Sequence, residues 1–388
     1  MIISSILDTD LYKLTMQQAV IAQFPFEIVR YELIIRTVRE FPDHFADLLK
    51  QEVESMSELT ITPEEIHFLK ETCYFFKPPY LDFLKGYQFD PNEVRIKQRG
   101  NSITLIVEGY WYRTILWEIP LMALISELFF KLTKPQTLPE PQLDTLNKTK
   151  IERLEHMGAR FSDFGTRRRF SIKNHERVVA ACVMYAPTCF SGTSNPYLAM
   201  KYNCKAIGTQ AHEWYMGIAA LYGYTNANQI GMEKWVDVYQ GDLGVALTDT
   251  FTTNVFFNEF STKYAKLFDG IRQDSGDPIA FALNAINHYE KLRIDPMSKI
   301  IVFSDSLDID RVEQINKFCN GKIKATYGIG THLTNDVGTR PLNMVIKMVS
   351  IKIGQTWVPT VKLSDDHNKY TGSAEAISTC KKILRIDN

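Results

Sequence analysis

From about residue 142 onward, short apolar runs alternate with longer stretches whose apolar residues return every three or four positions. The short runs predict strands at 161–164, 188–192, 205–208, 243–248, 268–272, 299–304 and 323–328. The stretches between them predict helices at 174–185, 213–222, 232–239, 278–293 and 307–319. Strands and helices in alternation imply parallel βαβ units. Most of the seven strands are followed at once by polar residues able to do chemistry. That placement predicts an α/β fold, an irregular β/α barrel of about seven parallel strands, whose working groups sit at the C-terminal strand ends. An open doubly wound sheet is the alternative, and would gather its ligand groups at one or two switch points.

Before residue 142 the pattern differs. Residues 8–24 read as a helix capped by Asp8 or Asp10, with Leu11, Leu14, Met16 and Ala19 on its apolar face. Tyr12 and Lys13 fall outside that face and read as surface residues. A strand is expected at 29–37, and polar-faced helices at 43–59 and 63–71, the second opened by Thr62-Pro63. Strands at 94–98 and 102–108 flank Arg99-Gly100-Asn101, a hairpin turn. An apolar helix follows at 120–132, then the Pro-rich stretch 134–141. Long strands at 342–353 and 356–363 form a second hairpin. The domain reading is an α+β N-terminal domain over 1–135, a β/α barrel over 136–340, and C-terminal strands over 341–388 that return to the N-terminal domain.

Composition narrows the function classes. The chain has 388 residues, is 45% hydrophobic and 23% charged, and carries a net charge of −1, as ordinary globular proteins do. Without a basic block, nucleic acid is not an expected partner, and any anion must be met by locally placed Arg, Lys and backbone amides. The N-terminus lacks a basic start followed by an apolar core, so no signal peptide is read there. The most apolar helix is too short for a membrane span and contains Glu127. Six cysteines without a CxxC pair or a Cys/His zinc spacing predict free thiols in a reducing cytoplasm and no metal site built from the protein.

Candidate chemistry lies at the strand ends. In 191–217, Gly192-Thr193 and Gly208-Thr209 each close a strand and lead into a helix, and the second turn delivers His212. A lone histidine is more often a satisfied core residue, but the repeated layout favours a working one. Gly165-Thr166 directs Arg167, Arg168 and Arg169 away from an apolar strand, so at least one should meet an anion. Asp249 ends a strand and reads equally as a helix cap or a working acid. Arg272 and Asp274 share one turn with Ser275, Gly276 and the helix-starting pair Asp277-Pro278. Ser304-Asp305-Ser306 and Gly328-Ile329-Gly330-Thr331 follow the last two barrel strands, where glycines let amides cradle a phosphate.

The motifs DTDLYKLTM, FSDFGTRRR, GTSNPYLAM, GTQAHEWYMG, LTDTFTT, RQDSGDP, FSDSLD and YGIGTHLTND, in this order over nearly the whole chain, resemble the nicotinate phosphoribosyltransferase family. The resemblance implies transfer of a phosphoribosyl group from phosphoribosyl pyrophosphate to nicotinate, in NAD biosynthesis. It implies ATP hydrolysis through a phosphohistidine at His212, supported by Asp249, although the chain has no GxxxxGK[ST] loop. Mg²⁺ would come with the substrate diphosphate. Phe164 and Arg167 would contact the pyridine ring and its carboxyl group. Thr193 and Ser194 would line the same substrate site, nicotinamide-using relatives carrying an aspartate where Ser194 stands. Arg272 and Asp274 would meet the ribose and diphosphate, while Ser304, Asp305, Gly328, Gly330 and Thr331 would surround the 5′-phosphate, with Arg340 and Lys347 as nearby basic groups. The resemblance also allows a homodimer, because the tyrosine matching Tyr12 reaches the neighbouring subunit's site in related dimers. A nicotinamide-using enzyme is the nearest rival reading. A Schiff-base aldolase would need a strand-end lysine, which no predicted strand offers. A non-catalytic metabolite-binding barrel would not need His212, Asp249 and Asp274 together.

Overall fold

The structure, a computed structural model, describes residues 1–36 and 40–386. The described strands are β1 (Ile28–Ile35), β2 (Val94–Arg99), β3 (Ser102–Tyr110), β4 (Phe161–Asp163), β5 (Phe190–Thr193), β6 (Val245–Leu247), β7 (Gly270–Gln273), β8 (Ile300–Phe303), β9 (Lys324–Ile329), β10 (Met344–Ile353) and β11 (Thr356–Pro359). Thr37, the expected end of the first strand, lies outside the described residues. The chain divides into two compact units. One comprises 1–21, 31–208 and 329–347, the other 22–30, 209–328 and 348–388.

In the first unit, the helix Leu11–Gln23 starts where the Leu11 amide donates to the Ser194 carbonyl at 2.7 Å. Tyr12 and Lys13 are buried on it, against the surface position expected. Lys13 can be buried because its Nζ lies 2.5 Å from Glu118 Oε2, an opposite charge that offsets the loss of water. Glu118 opens the helix Glu118–Thr133, which is buried over most of its length because it is apolar on every side. The β2–β3 hairpin pairs antiparallel from Val94↔Val107 to Arg99↔Ser102. β4 and β5 run parallel.

The strand expected at 205–208 is reduced to one parallel bridge, Thr193↔Ala206, so the described parallel strands number six rather than seven. The bridge is made by two backbone bonds, Thr193 N–H to the Lys205 carbonyl at 3.0 Å and Ile207 N–H to the Thr193 carbonyl at 2.8 Å, and the backbones approach closely there. A Cβ on Gly192 would stand 2.1 Å from the Lys205 carbonyl oxygen, and one on Gly208 would stand 3.1 Å from the Tyr12 amide nitrogen. The chain touches β5 once and then turns away beneath the first helix.

The second unit holds β6, β7, β8 and β9 as a parallel ladder, with Val245, Gly270, Ile300 and Lys324 in one row. The four residues of β7 are all buried, as expected of a strand covered on both faces. Helices Pro278–Lys291 and Ile309–Cys319 follow β7 and β8, capped by Asp277 and Asp308. Helices His212–Tyr222 and Ala227–Tyr239 pack through Trp214 and Trp235, ring centroids 5.5 Å apart. The β10–β11 hairpin pairs Ser350↔Pro359 to Ile353↔Thr356. Its second strand stops at Pro359 instead of running to Leu363, and the chain beyond it turns toward the ends of β6, β7 and β8.

Candidate functional site

Two clusters of side chains stand out, one in each unit. In the first, Asp163 at the end of β4 ties together two turns. Its Oδ1 accepts the Gly165 amide at 2.9 Å, and its Oδ2 accepts the Thr193 hydroxyl at 2.6 Å and lies 2.6 Å from His175 Nε2. Burial pushes the Asp163 carboxyl up, but His175 and these hydrogen bonds overcome it and hold it below the usual carboxylate range. Thr193 therefore works inward as an anchor for its turn. The next residue, Ser194, donates from Oγ to Asp10 Oδ1 at 2.6 Å. The cap of the following helix is Asn195, accepting from the Leu198 amide at 3.0 Å, so capping does not explain Ser194. Arg167 Nε lies 3.5 Å from Asp10 Oδ2, and the guanidinium carbon stands 5.8 Å from the centre of the Tyr12 ring. Tyr12, Arg167 and Ser194 are thus gathered around Asp10, a residue given no role beyond a helix cap in the sequence reading.

The three arginines separate. Arg169 is fully buried and forms a two-pronged ion pair with Asp8, at 2.6 and 2.7 Å. Burial and the charges of Arg167 and Arg36 push the Arg168 guanidinium down to about 10. Phe164 is half-buried, its amide donating to the Ile329 carbonyl at 2.9 Å. Gly330 precedes the single helical turn Thr331–Thr334, and Thr334 Oγ1 donates to the Gly165 carbonyl at 2.9 Å. Gly165 cannot carry a side chain, because a Cβ there would stand 2.2 Å from Thr334. Lys347 is half-buried, its charge helping to hold the Glu118 carboxyl low against burial, and Arg340 is exposed.

The second cluster is built at the ends of β6, β7 and β8. His212 Nε2 lies 3.0 Å from Asp274 Oδ2 and 3.6 Å from Asp249 Oδ1, and Nδ1 lies 3.1 Å from Thr250 Oγ1. A carboxylate only accepts, so these partners assign the proton to Nε2 and leave Nδ1 to accept the Thr250 hydroxyl. Burial, joined by the nearby Lys362 charge, brings His212 down to about 4 against the pull of Asp249 and Asp274. The imidazole is therefore neutral at neutral pH.

Arg272 binds Ser304 Oγ through Nε at 2.8 Å, and Thr209 Oγ1 and the Gln210 carbonyl through one terminal nitrogen at 2.8 and 3.2 Å. Its other terminal nitrogen lies 3.1 Å from Asp274 Oδ1. Asp274 also lies 2.8 Å from Ser304 Oγ. Burial opposes ionisation of Asp274, yet Arg272 and His212 hold its carboxyl well below the usual range. Asp249 does not cap the helix Thr253–Glu259, whose cap is Thr252. Its Oδ2 accepts the Ser275 hydroxyl at 2.6 Å, and its carboxyl is held low, against burial, by His212 and Lys362. Asp277 is the helix cap expected of it, 2.7 Å from the Ala280 amide.

The sequence reading missed the segment 362–369. Lys362 is buried, with Nζ 3.7 Å from Asp249 Oδ2. Ser364 Oγ lies 3.3 Å from the same oxygen, and Lys369 Nζ lies 2.5 Å from Asp305 Oδ1 and 3.1 Å from the Asp274 carbonyl. The available signal was the run LysLeuSerAspAspHisAsnLys, too polar to finish a core strand. His212, Asp249, Arg272, Asp274, Ser304 and Asp305 thus come together with Lys362 and Lys369 as a neutral imidazole among three carboxylates, each with a cation nearby. Gly328 lies within β9. Such a cluster can hold a polyanion, hydrogen-bond hydroxyls and present a neutral nitrogen nucleophile.

Comparison with known proteins places this geometry in context. The family profile described as the nicotinate phosphoribosyltransferase (NAPRTase) family matches residues 159–386, and that of its N-terminal domain matches 7–126. A nicotinate phosphoribosyltransferase of Chromohalobacter salexigens is 49% identical over 385 residues, covering 99% of each chain. One of Desulforapulum autotrophicum is 50% identical over 384 residues, covering 98% of this chain and 99% of its own. The crystal structure of nicotinate phosphoribosyltransferase from Porphyromonas gingivalis superimposes with a TM-score of 0.97 at 43% identity, covering 99% of this chain and all of its own.

Proposed function

The chain belongs to the nicotinate phosphoribosyltransferase family, and from that premise we propose that it joins nicotinate to phosphoribosyl pyrophosphate. The products are nicotinate mononucleotide and diphosphate, and the reaction is coupled to ATP hydrolysis through phosphorylation of His212. The observation that carries the reading is the His212–Asp274–Arg272 network with Asp249 behind it. It combines acceptors for ribose hydroxyls, a cation for diphosphate oxygens and an imidazole in its nucleophilic form. The transfer needs little covalent chemistry from the protein. The anomeric carbon gains oxocarbenium character as diphosphate leaves, the pyridine nitrogen attacks, and the protein positions both and stabilises charge.

Nicotinate is assigned to Phe164 and Arg167, stacking the ring and pairing the carboxylate. Thr193 and Ser194 set the turn beside them. Ser304, Asp305, Gly328, Gly330 and Thr331 are assigned to the phosphoribosyl moiety, with Arg340 and Lys347 as accessory cations. Tyr12 serves the site in a homodimer. Asp249 and Asp274 do not suit a resident metal, because Lys362 and Ser275 already engage the first, and Arg272 and Ser304 the second. Family membership implies Mg²⁺ carried by the substrate diphosphate, an arrangement that needs no resident metal at these carboxylates.

One observation favours the nicotinamide-using reading. A carboxylate, Asp10, stands 2.6 Å from Ser194 Oγ, near where nicotinamide-using relatives place theirs. Arg167 lies 3.5 Å from Asp10 and offsets that charge, which keeps nicotinate the preferred substrate. The deciding experiment assays mononucleotide formation from nicotinate and from nicotinamide, each with and without ATP. Faster turnover of nicotinamide would reverse the assignment, and indifference to ATP would remove the phosphohistidine.

A further inference from the structure

The second unit contains a buried cation that the proposed chemistry does not use. Lys362 is 5% exposed, and its Nζ lies 3.7 Å from Asp249 Oδ2. It comes from the C-terminal segment, far from the strand ends in sequence. The backbone around it is fixed, the Lys362 amide bonding the Thr371 carbonyl at 2.9 Å and the Leu363 amide the Thr250 carbonyl at 2.8 Å. A buried ammonium is costly unless it is paired, and Asp249 is its paired carboxylate among the described residues.

The two oxygens of Asp249 are used differently. Oδ2 receives Ser275, Ser364 and Lys362. Oδ1 is buried without a hydrogen-bond partner and faces His212 Nε2 at 3.6 Å. Crowding donors on one oxygen turns the other toward the imidazole. We propose that Lys362 is a positioning residue for His212, acting through Asp249 by holding that carboxylate ionised with Oδ1 aimed at Nε2. His212 then keeps a second acceptor for its Nε2 proton when Asp274 turns to a substrate hydroxyl. The phosphoribosyltransfer reading supplies that last step. The geometric claim stands without it.

The charged groups facing His212 are Asp249, Asp274 and Lys362, with Arg272 behind Asp274 and Asp365 near Asp249. The test compares full-length Lys362→Met, which keeps the length and removes the charge, with Lys362→Arg. NMR titration of the His212 ring, assigned by its loss in His212→Asn, reads the site without turnover. Lys362→Met removes a charge that itself pushes His212 down, so its direct effect is upward in any background. Acting through Asp249 as well, it should raise the His212 titration less in the parent than in an Asp249→Asn background, and it should lower kcat on the order of 10²-fold, the scale for a displaced reacting group. Lys362→Arg should restore both to the parental range. In an Asp249→Asn background, Lys362→Met should have little further effect on kcat, because the lysine acts through that carboxylate. Equal upward shifts of His212 with and without the Asp249 carboxylate would be the lysine's direct charge effect alone and overturn the proposal, as does the same loss of kcat with and without Asp249. If Lys362→Met fails to fold, Lys362→Arg decides: a folded Arg variant with a displaced His212 titration also overturns it. A titration change that depends on the Asp249 carboxylate, in a protein that makes no mononucleotide, supports the positioning claim while refuting the functional reading.

Discussion

Ser194→Asp tests how the first cluster separates an acid from an amide. The parent should strongly prefer nicotinate to nicotinamide. The backbone at this position is held independently of the side chain, the Ser194 amide donating to the Asp163 carbonyl and its carbonyl accepting from the Leu11 amide, both at 2.7 Å. The fold should therefore survive, as circular dichroism would show. The new carboxylate would stand beside Asp10, whose oxygen is 2.6 Å from the present hydroxyl. Two carboxylates ~4 Å apart repel by about 4 kcal/mol at an effective dielectric of 20, and a substrate carboxylate would meet the same opposition. Arg167, 3.5 Å from Asp10, would be shared by both protein acids and less able to hold the substrate's. Acting fully in the transition state, that energy is about three decades in kcat/KM for nicotinate. Nicotinamide, lacking the charge, should lose far less. The assay is kcat/KM for both substrates under ATP saturation. A folded variant whose nicotinate-to-nicotinamide ratio equals the parent's would remove Ser194 as the selectivity position.

His212→Ala should abolish both an acid-labile, base-stable label from γ-labelled ATP and ATP stimulation. Equal labelling of the variant would place the phosphate elsewhere. Arg272→Ala should weaken phosphoribosyl pyrophosphate by roughly 1.5–3 kcal/mol, about one to two decades, and nicotinate far less. Equal weakening of both would mark general damage, which the bonds from Arg272 to Thr209, Gln210 and Ser304 make a serious competing outcome. Asp8→Asn should destabilise the protein by about 3–5 kcal/mol in urea unfolding, because it strands the buried Arg169 guanidinium. Burial opposes the Asp8 carboxylate, but Arg169 holds its folded pKa below the unfolded value, so the pair's stabilisation is present above about pH 4 and lost as pH falls through the lower folded value. The gap between parent and variant should close in acid, and a gap unchanged there would refute the assignment.

The strand ends were legible because their signal is local. An apolar run, a turn and a helix start lie within a few residues, and six of the seven predicted strands fall within about two residues of observed ones. The Asp277 cap was legible for the same reason. What was not legible depends on distant partners. Lys13 is buried because of Glu118, and Asp8 because of Arg169, 161 positions away. No periodicity in residues 8–24 records either partner. The seventh strand is a single bridge to β5, and how far a short apolar run pairs is not encoded in its hydrophobic pattern. The segment 362–369 was hidden because its contacts with the site reach back 64 to 115 positions. A search for chemistry at the ends of predicted strands could not reach it.

That segment also accounts for a strained turn beside the imidazole. Thr252 has φ 76° and ψ 147°, a conformation that a β-branched residue rarely adopts. Strain of this kind costs on the order of 1–3 kcal/mol and persists only where the surroundings over-determine it. The surroundings here come largely from the C-terminal segment. Asp365 Oδ1 accepts the Thr253 amide at 2.8 Å, its Oδ2 accepts the Thr253 hydroxyl at 2.5 Å, and the Leu363 amide grips the Thr250 carbonyl at 2.8 Å. Thr250 is the residue that supplies the hydroxyl to His212 Nδ1. Ser364, lying between Leu363 and Asp365, is itself at φ 74° and contacts Asp249. The strain therefore lies along the two stretches that set the imidazole's partners, Thr250 on one nitrogen and Asp249 near the other. A relaxed turn would release Asp365 from Thr253 and free the Thr250 hydroxyl to rotate away from Nδ1. The C-terminal segment thus contributes to the site in two ways, through the Lys362 charge and by holding in place a turn that would not keep this shape alone.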